Sequence, residues 1–159
     1  MFQFGEDLKV YLENCFANDS SITASKKPKI YNGYQAQHEP KATEPEVQIQ
    51  PLDNSEQTEF TTFCNKHANS TPMQFGVYTG KLKFSGVEYN AQDASVILGE
   101  KIEYFINEYI YSLRNKNIQQ GRLVSTSPAL PMNDGGSVYT TILRFDFIVA
   151  YPYEVGQTS

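Results

Sequence analysis

Between Asn90 and Arg114 apolar side chains recur at helical spacing without a break. Ala94, Ile97, Leu98, Ile102, Phe105, Tyr109 and Leu113 form one stripe, and Ile106 and Ile110 widen it. Asn90 is placed to cap the free N–H groups of the first turn, and Asp93 suits the positive end of the helix dipole. Arg114 and Lys116 suit the other end. At about 1.5 Å per residue such a helix is roughly 35 Å long, enough to cross a whole sheet. A stripe this broad has to be covered, with Phe105 expected inside it and Glu103 outside.

The rest of the chain offers mainly β-structure to cover it. Tyr139, Thr141, Leu143, Phe145, Phe147 and Val149 share one face of a strand, while Arg144 and Asp146 take the other. Glu46 to Gln50 alternates in the same manner. Lys29 to Gln35, Thr58 to Cys64 and Gly121 to Thr126 read as further extended segments. In Met73 to Phe84 the apolar parity switches from Met73, Phe75 and Val77 to Tyr78, Leu82 and Phe84, which predicts a bulge or bend near Gly80. Phe4, Leu8, Tyr11, Leu12, Cys15 and Phe16 share one face of a short N-terminal helix, and Asn18 to Ser21 should stop it. Polar breaks are expected at Gln37–Glu46, at Asp53–Ser55 and at Asn65–Pro72. Between Ser127 and Gly136, two prolines and two glycines in ten residues argue against regular structure. The expected fold is a single α+β domain over residues 1–155, a mainly antiparallel sheet with one long helix packed on it and a short N-terminal helix. Residues 156–159 are expected to be a disordered tail.

Charge and composition exclude several function classes. The net charge of −5 leaves no basic surplus for phosphates, so specific nucleic-acid binding is not expected. Lys26, Lys27 and Lys29 form the one compact basic cluster, interrupted by Pro28, and read as a solvated strand entrance. Cys15 and Cys64 do not make a disulfide framework. MFQFGEDLKV has no secretion pattern, and no apolar run approaches the ~20 residues needed to span a bilayer, so a reducing cytoplasm without membrane attachment is expected.

Candidate chemistry is sparse. His38 and His67 sit apart in polar breaks, and no metal-ligand spacing is present. There is no nucleophile elbow, and Cys64 with His67 reads as a local coincidence. Asp134-Gly135-Gly136 resembles half of a phosphate loop, but no Lys-Ser/Thr follows, so a hairpin tip is expected. Glu44, Glu46, Asp53, Glu56 and Glu59 read as a solvated acidic face without calcium-loop spacing. No catalytic residue, metal or cofactor is therefore assigned, and the chain is expected not to be an enzyme. Aromatic residues are abundant, eleven Tyr and ten Phe, and tyrosine suits half-buried positions and protein contacts.

Three segments carry a further signal. They are Val47-Gln-Ile-Gln-Pro-Leu-Asp-Asn54, a strand running into a turn; the helix opening Ala91-Gln-Asp-Ala94 and continuing Leu98-Gly-Glu-Lys-Ile102; and Ser125-Thr-Ser-Pro-Ala-Leu-Pro-Met-Asn-Asp-Gly-Gly-Ser137, leading into Tyr139 and Leu143-Arg-Phe-Asp-Phe147. In that order they make residues 47–155, about two thirds of the chain, resemble tail terminator proteins of bacteriophages with long non-contractile tails, particularly those infecting Gram-positive bacteria.

The resemblance implies one sheet with a long helix on it and a further N-terminal helix. It also implies a homohexameric ring that caps the finished tail tube, stops its polymerisation and presents its other face to the head completion or neck protein. The expected location is then the virion tail, reached through assembly in the host cytoplasm, with DNA passing the lumen. No catalytic residues come with the family. Within such a ring Pro128, Leu130, Pro131, Met132 and Asp134 are the candidate contact residues, because a stiff loop with apolar side chains near its tip loses little entropy on docking. The plainer reading of the loop is a connector between strands. A neck connector, a tube subunit, or a non-viral module holding a peptide or ligand in a Tyr-lined cleft are the alternative functions.

Overall fold

The protein's structure, a computed structural model, describes residues 2–33, 39–52, 59–61, 67–112, 117–132 and 135–151. Its framework is a pair of strands, β4 (His67–Thr79) and β9 (Tyr139–Tyr151), antiparallel along their whole length from His67 opposite Tyr151 to Thr79 opposite Tyr139. β2 (Glu46–Pro51) and the short β3 (Glu59–Thr61) pair with the far side of β4, and β1 (Lys29–Asn32) lies parallel to β2 at the edge. Beyond β9 lie β7 (Ile118–Thr126) and β8 (Leu130–Pro131), which complete a seven-stranded, mostly antiparallel sheet. A separate hairpin joins β5 (Leu82–Phe84) to β6 (Val87–Tyr89). Two helices, α1 (Phe2–Ala17) and α2 (Ala91–Ile110), cover one face of the sheet. The molecule is a single α+β domain, as the patterning predicts.

Strand periodicity decides which face the helices cover. Thr141, Leu143, Phe145, Phe147 and Val149 of β9 are buried beside Thr71, Met73, Phe75 and Val77 of β4 and Val47 and Ile49 of β2. The rings interlock edge to face, Phe75 on Phe145 at 5.7 Å and Phe4 of α1 on Phe147 at 5.1 Å. Asn90 caps α2 by accepting the Asp93 N–H at 2.8 Å.

The stripe on α2 is rotated from its expected centre. Leu98, Ile102, Ile106 and Tyr109 are buried with Ala91, Ala94, Ser95 and Gly99, whereas Ile97, Phe105 and Ile110 are only half-buried. The small residues explain the rotation. A Cβ on Gly99 would sit 3.1 Å from Thr141 Cγ2, and Ser95 Oγ lies 3.0 Å from Thr141 Oγ1, so the helix rolls its small side onto β9. α2 also ends at Ile110, earlier than expected, where Tyr111 donates to Asn107 O. Leu113, Arg114 and Lys116 lie outside the described residues.

Several polar segments are more ordered than their composition suggests. The break expected at Asn65–Pro72 is, from His67 on, the first half of β4. Pro72 is tolerated there because its C=O already accepts from Leu52 N at 2.9 Å, so the rung it cannot donate is the last one of the β2–β4 ladder. The bend near Gly80 is present, but Leu82–Phe84 then turns back through Ser85 (φ 52°) and Gly86 (φ 81°) as its own hairpin. Ala42, from the segment expected as a mobile loop or hairpin crossing, packs so close to Gly80 that any side chain there would strike its carbonyl. Lys27 is not a solvated lysine: its Nζ donates to the carbonyls of Phe16, Ala17 and Asp19 and closes the end of α1. Of the expected acidic face, Glu44 is exposed, Glu46 is buried, and Asp53 and Glu56 lie outside the described residues.

Candidate assembly surface

β7 and β8 run end to end along one side of β9 and form an open edge of the sheet. Between Ser127 and Gly136, where regular structure is not expected, the two-residue strand β8 is the exception among the described residues, and the chain is tied to β9 at three places. Ser127 N donates to Ile142 O at 2.8 Å, and Ile142 N donates back to Ser127 Oγ at 2.9 Å, a hydroxyl standing in for a missing rung. Leu130 and Pro131 pair with Thr140 and Tyr139, and Met132 N donates to Val138 O at 2.8 Å. A proline is accepted here because an edge strand needs N–H donors on one side only. Gly136, at φ 64°, supplies the left-handed turn that returns the chain to β9.

This anchoring leaves the candidate side chains pointing outward. Leu130 is 49% exposed and Met132 45%, and Pro128, Pro131 and the neighbouring Val124 are exposed as well. The structure thus brings Pro128, Leu130, Pro131 and Met132 to one edge, whereas Asp134 lies outside the described residues. The β7 ladder is interrupted by two irregularities, between Ile118 and Gln120 and between Leu123 and Ser125. Bulges of this kind hinder the addition of another strand, so the edge is suited to contact through side chains.

Three exposed features were not singled out in the sequence. Tyr104 and Tyr111 stand on the outer side of α2 at 63% and 78% exposure, and Arg122 is exposed on β7. A signal for the tyrosines existed, since both fall outside the apolar stripe. A concavity of about 600 Å³ lies beside the junction of the end of α2 with β7, lined by Ile110, Tyr111, Gln120, Gly121, Arg122 and Asp146.

Four titratable groups elsewhere are shifted by their surroundings. Burial raises the pKa of Tyr11, whose hydroxyl donates to Phe105 O at 2.6 Å, and burial also raises that of the Cys15 thiol against an opposing hydrogen bond with Tyr11. Burial raises Tyr78 too, with Thr140 opposing and the Glu46 charge adding to it. At Asp19 burial works the other way and loses: Lys101, at 2.8 Å, and hydrogen bonds from Ser21 hold the carboxyl below its ordinary range. Among the described residues no group of three or more His, Cys, Asp and Glu could hold a metal ion, and no helix is long and apolar enough to cross a membrane. Neither models of known protein families nor curated protein sequences match this chain.

Proposed function

We propose that this chain is a virion assembly protein, a tail terminator that forms a ring on the finished tail tube of a long-tailed bacteriophage, stops its growth and offers a joining face to the head. The observation that carries the reading is the β7–β8 edge: a backbone-anchored strip that turns Leu130, Met132, Pro128 and Pro131 to solvent within the Ser125–Ser137 segment on which the resemblance partly rests. The fold is of the kind the resemblance implies, one sheet carrying a long helix and an N-terminal helix.

The physics of the role favours such an edge. A tube grows by heterologous contacts that would continue indefinitely, and a terminator must bind the last ring while presenting a different surface behind it. A pre-stiffened apolar strip gives contact at small entropic cost.

The test is the double substitution Leu130→Ser with Met132→Ser. Light scattering coupled to size exclusion should show the parent as a defined oligomer, hexameric on this reading, and the variant at least tenfold weaker in assembly with a nearly unchanged melting temperature. Electron micrographs of tail tubes mixed with each should show capping by the parent alone. A parent that stays monomeric at high concentration and ignores tubes would remove this reading in favour of a small binding module.

A further inference from the structure

The charge of this molecule is unevenly divided between its two faces. α1 and α2 together hold seven carboxylates (Glu6, Asp7, Glu13, Asp93, Glu100, Glu103, Glu108), all but the buried Asp7 at least partly accessible, against two lysines (Lys9, Lys101). Lys101 is engaged with Asp19 at 2.8 Å. On α2 the residues Glu100, Tyr104 and Glu108 follow one another at spacings of four, so they form a single outward stripe, and Tyr111 follows at the capping position just past the helix. Glu100, Tyr104, Glu108 and Tyr111 are all exposed.

The helix-free face of the sheet has the opposite character. Arg122 and Arg144 are exposed there, with Lys29 at the β1 edge and the neutral amides of Gln48, Gln50 and Gln74 between them. Among the strand residues whose side chains are described, the carboxylates on this face are Glu46, which is buried, and Asp146, half-buried across the ladder from Arg122. Among the described residues neither arginine is in an ion pair.

We infer that neighbouring copies of this chain meet face to opposite face, the acidic, tyrosine-bearing stripe of α2 in one copy docking on Arg122 and Arg144 of the next. The inference rests on the ring reading and specifies its contact. Guanidinium groups pair with carboxylates in a planar fork and stack on aromatic rings, and the stripe alternates those two acceptors. Glu100, Tyr104 and Glu108 lie on the helix side of the sheet and Arg144 on the other, with Arg122 on the edge strand β7, so the contact is heterologous and repeats from copy to copy, as a ring requires. A two-fold pairing of like faces would instead set Glu100 and Glu108 against their own kind, which the charge pattern disfavours. Arg122 belongs to β7, so this surface is continuous with the apolar edge at Val124 and Leu130.

Complementary charge reversal tests it on the full chain. One variant carries Arg122→Glu and Arg144→Glu, the other Glu100→Arg and Glu108→Arg. Each alone should need at least a tenfold higher concentration to assemble, because both of its faces then carry one sign. An equimolar mixture should assemble again, since each face of one variant now complements the opposite face of the other. Raising the salt concentration should weaken the parent in the same assay. If either variant assembles like the parent, or if both fail and the mixture does not recover, these faces do not meet. Circular dichroism melts check folding; should a reversal unfold the chain, Arg122→Gln with Arg144→Gln and Glu100→Gln with Glu108→Gln replace it, and parent-like assembly of either overturns the inference. A parent that never assembles would remove the ring reading itself, a distinct result.

Discussion

On β9, Leu143, Phe145 and Phe147 are sealed beneath the helices, while Arg144, Asp146 and Ile148, each one residue away, are exposed or half-exposed. The same strand therefore serves two purposes on its two faces. The covered face is aromatic, tightly interlocked and intolerant of change. The open face is polar and carries Arg122 and Arg144, and it continues into an edge whose side chains are turned outward by backbone bonds. A substitution on the first should register in stability, and one on the second in association. The division runs along the pleat, so it alternates at every residue.

The sharpest test of that division is Phe145→Ala beside Arg144→Ala. Phe145 is fully buried against Phe75 and Phe147, and its loss should cost about 3–5 kcal/mol in denaturant melts. Arg144→Ala should stay within about 0.5 kcal/mol. Equal costs would mean that the open face is covered in solution by something of the chain's own.

A smaller effect is expected where the covered layer meets solvent. Phe105 is half-buried, touching Phe16 edge to face at 5.2 Å, so Phe105→Ala should cost about 2 kcal/mol, below the range for a fully buried ring. Glu103→Ala should again stay near 0.5 kcal/mol. A Phe105 cost as large as that of Phe145 would indicate that this rim is buried in the folded state, for instance by a second copy.

The smallest effect concerns pH. The folded state holds the Asp19 carboxyl below its ordinary value through Lys101 and Ser21. A depressed acid contributes its stability above the unfolded carboxylate range, near pH 4, and loses it as pH falls through the lowered folded value. Asp19→Asn should therefore flatten the acid limb of a stability-against-pH curve, by about 1 kcal/mol for a pair at the rim of the structure. No change in the limb would show that Lys101 is solvated instead.

What the sequence determined by itself was periodicity. Alternation placed Leu143, Phe145 and Phe147 on one face and Arg144 on the other, and the spacing from Ala94 to Tyr109 required a long helix beneath which they could lie. These patterns are local, so one chain segment suffices to read them. The rotation of α2 was not local: it depends on Gly99 and Ser95 meeting Thr141, a residue 46 positions from Ser95. Likewise any Cβ on Gly5 would fall on the buried Asn32 side chain of β1, a contact that no local pattern announces. His67–Pro72 looks like a loop by composition and becomes a strand because β9 supplies thirteen partners for β4. The candidate edge was legible as a stiff apolar segment, but its exposure was decided by Ile142 and Val138, which hold its backbone and leave its side chains free. Propensity acts within a segment, whereas the pairing energy that overrides it comes from residues distant in sequence, and only the folded chain brings those together.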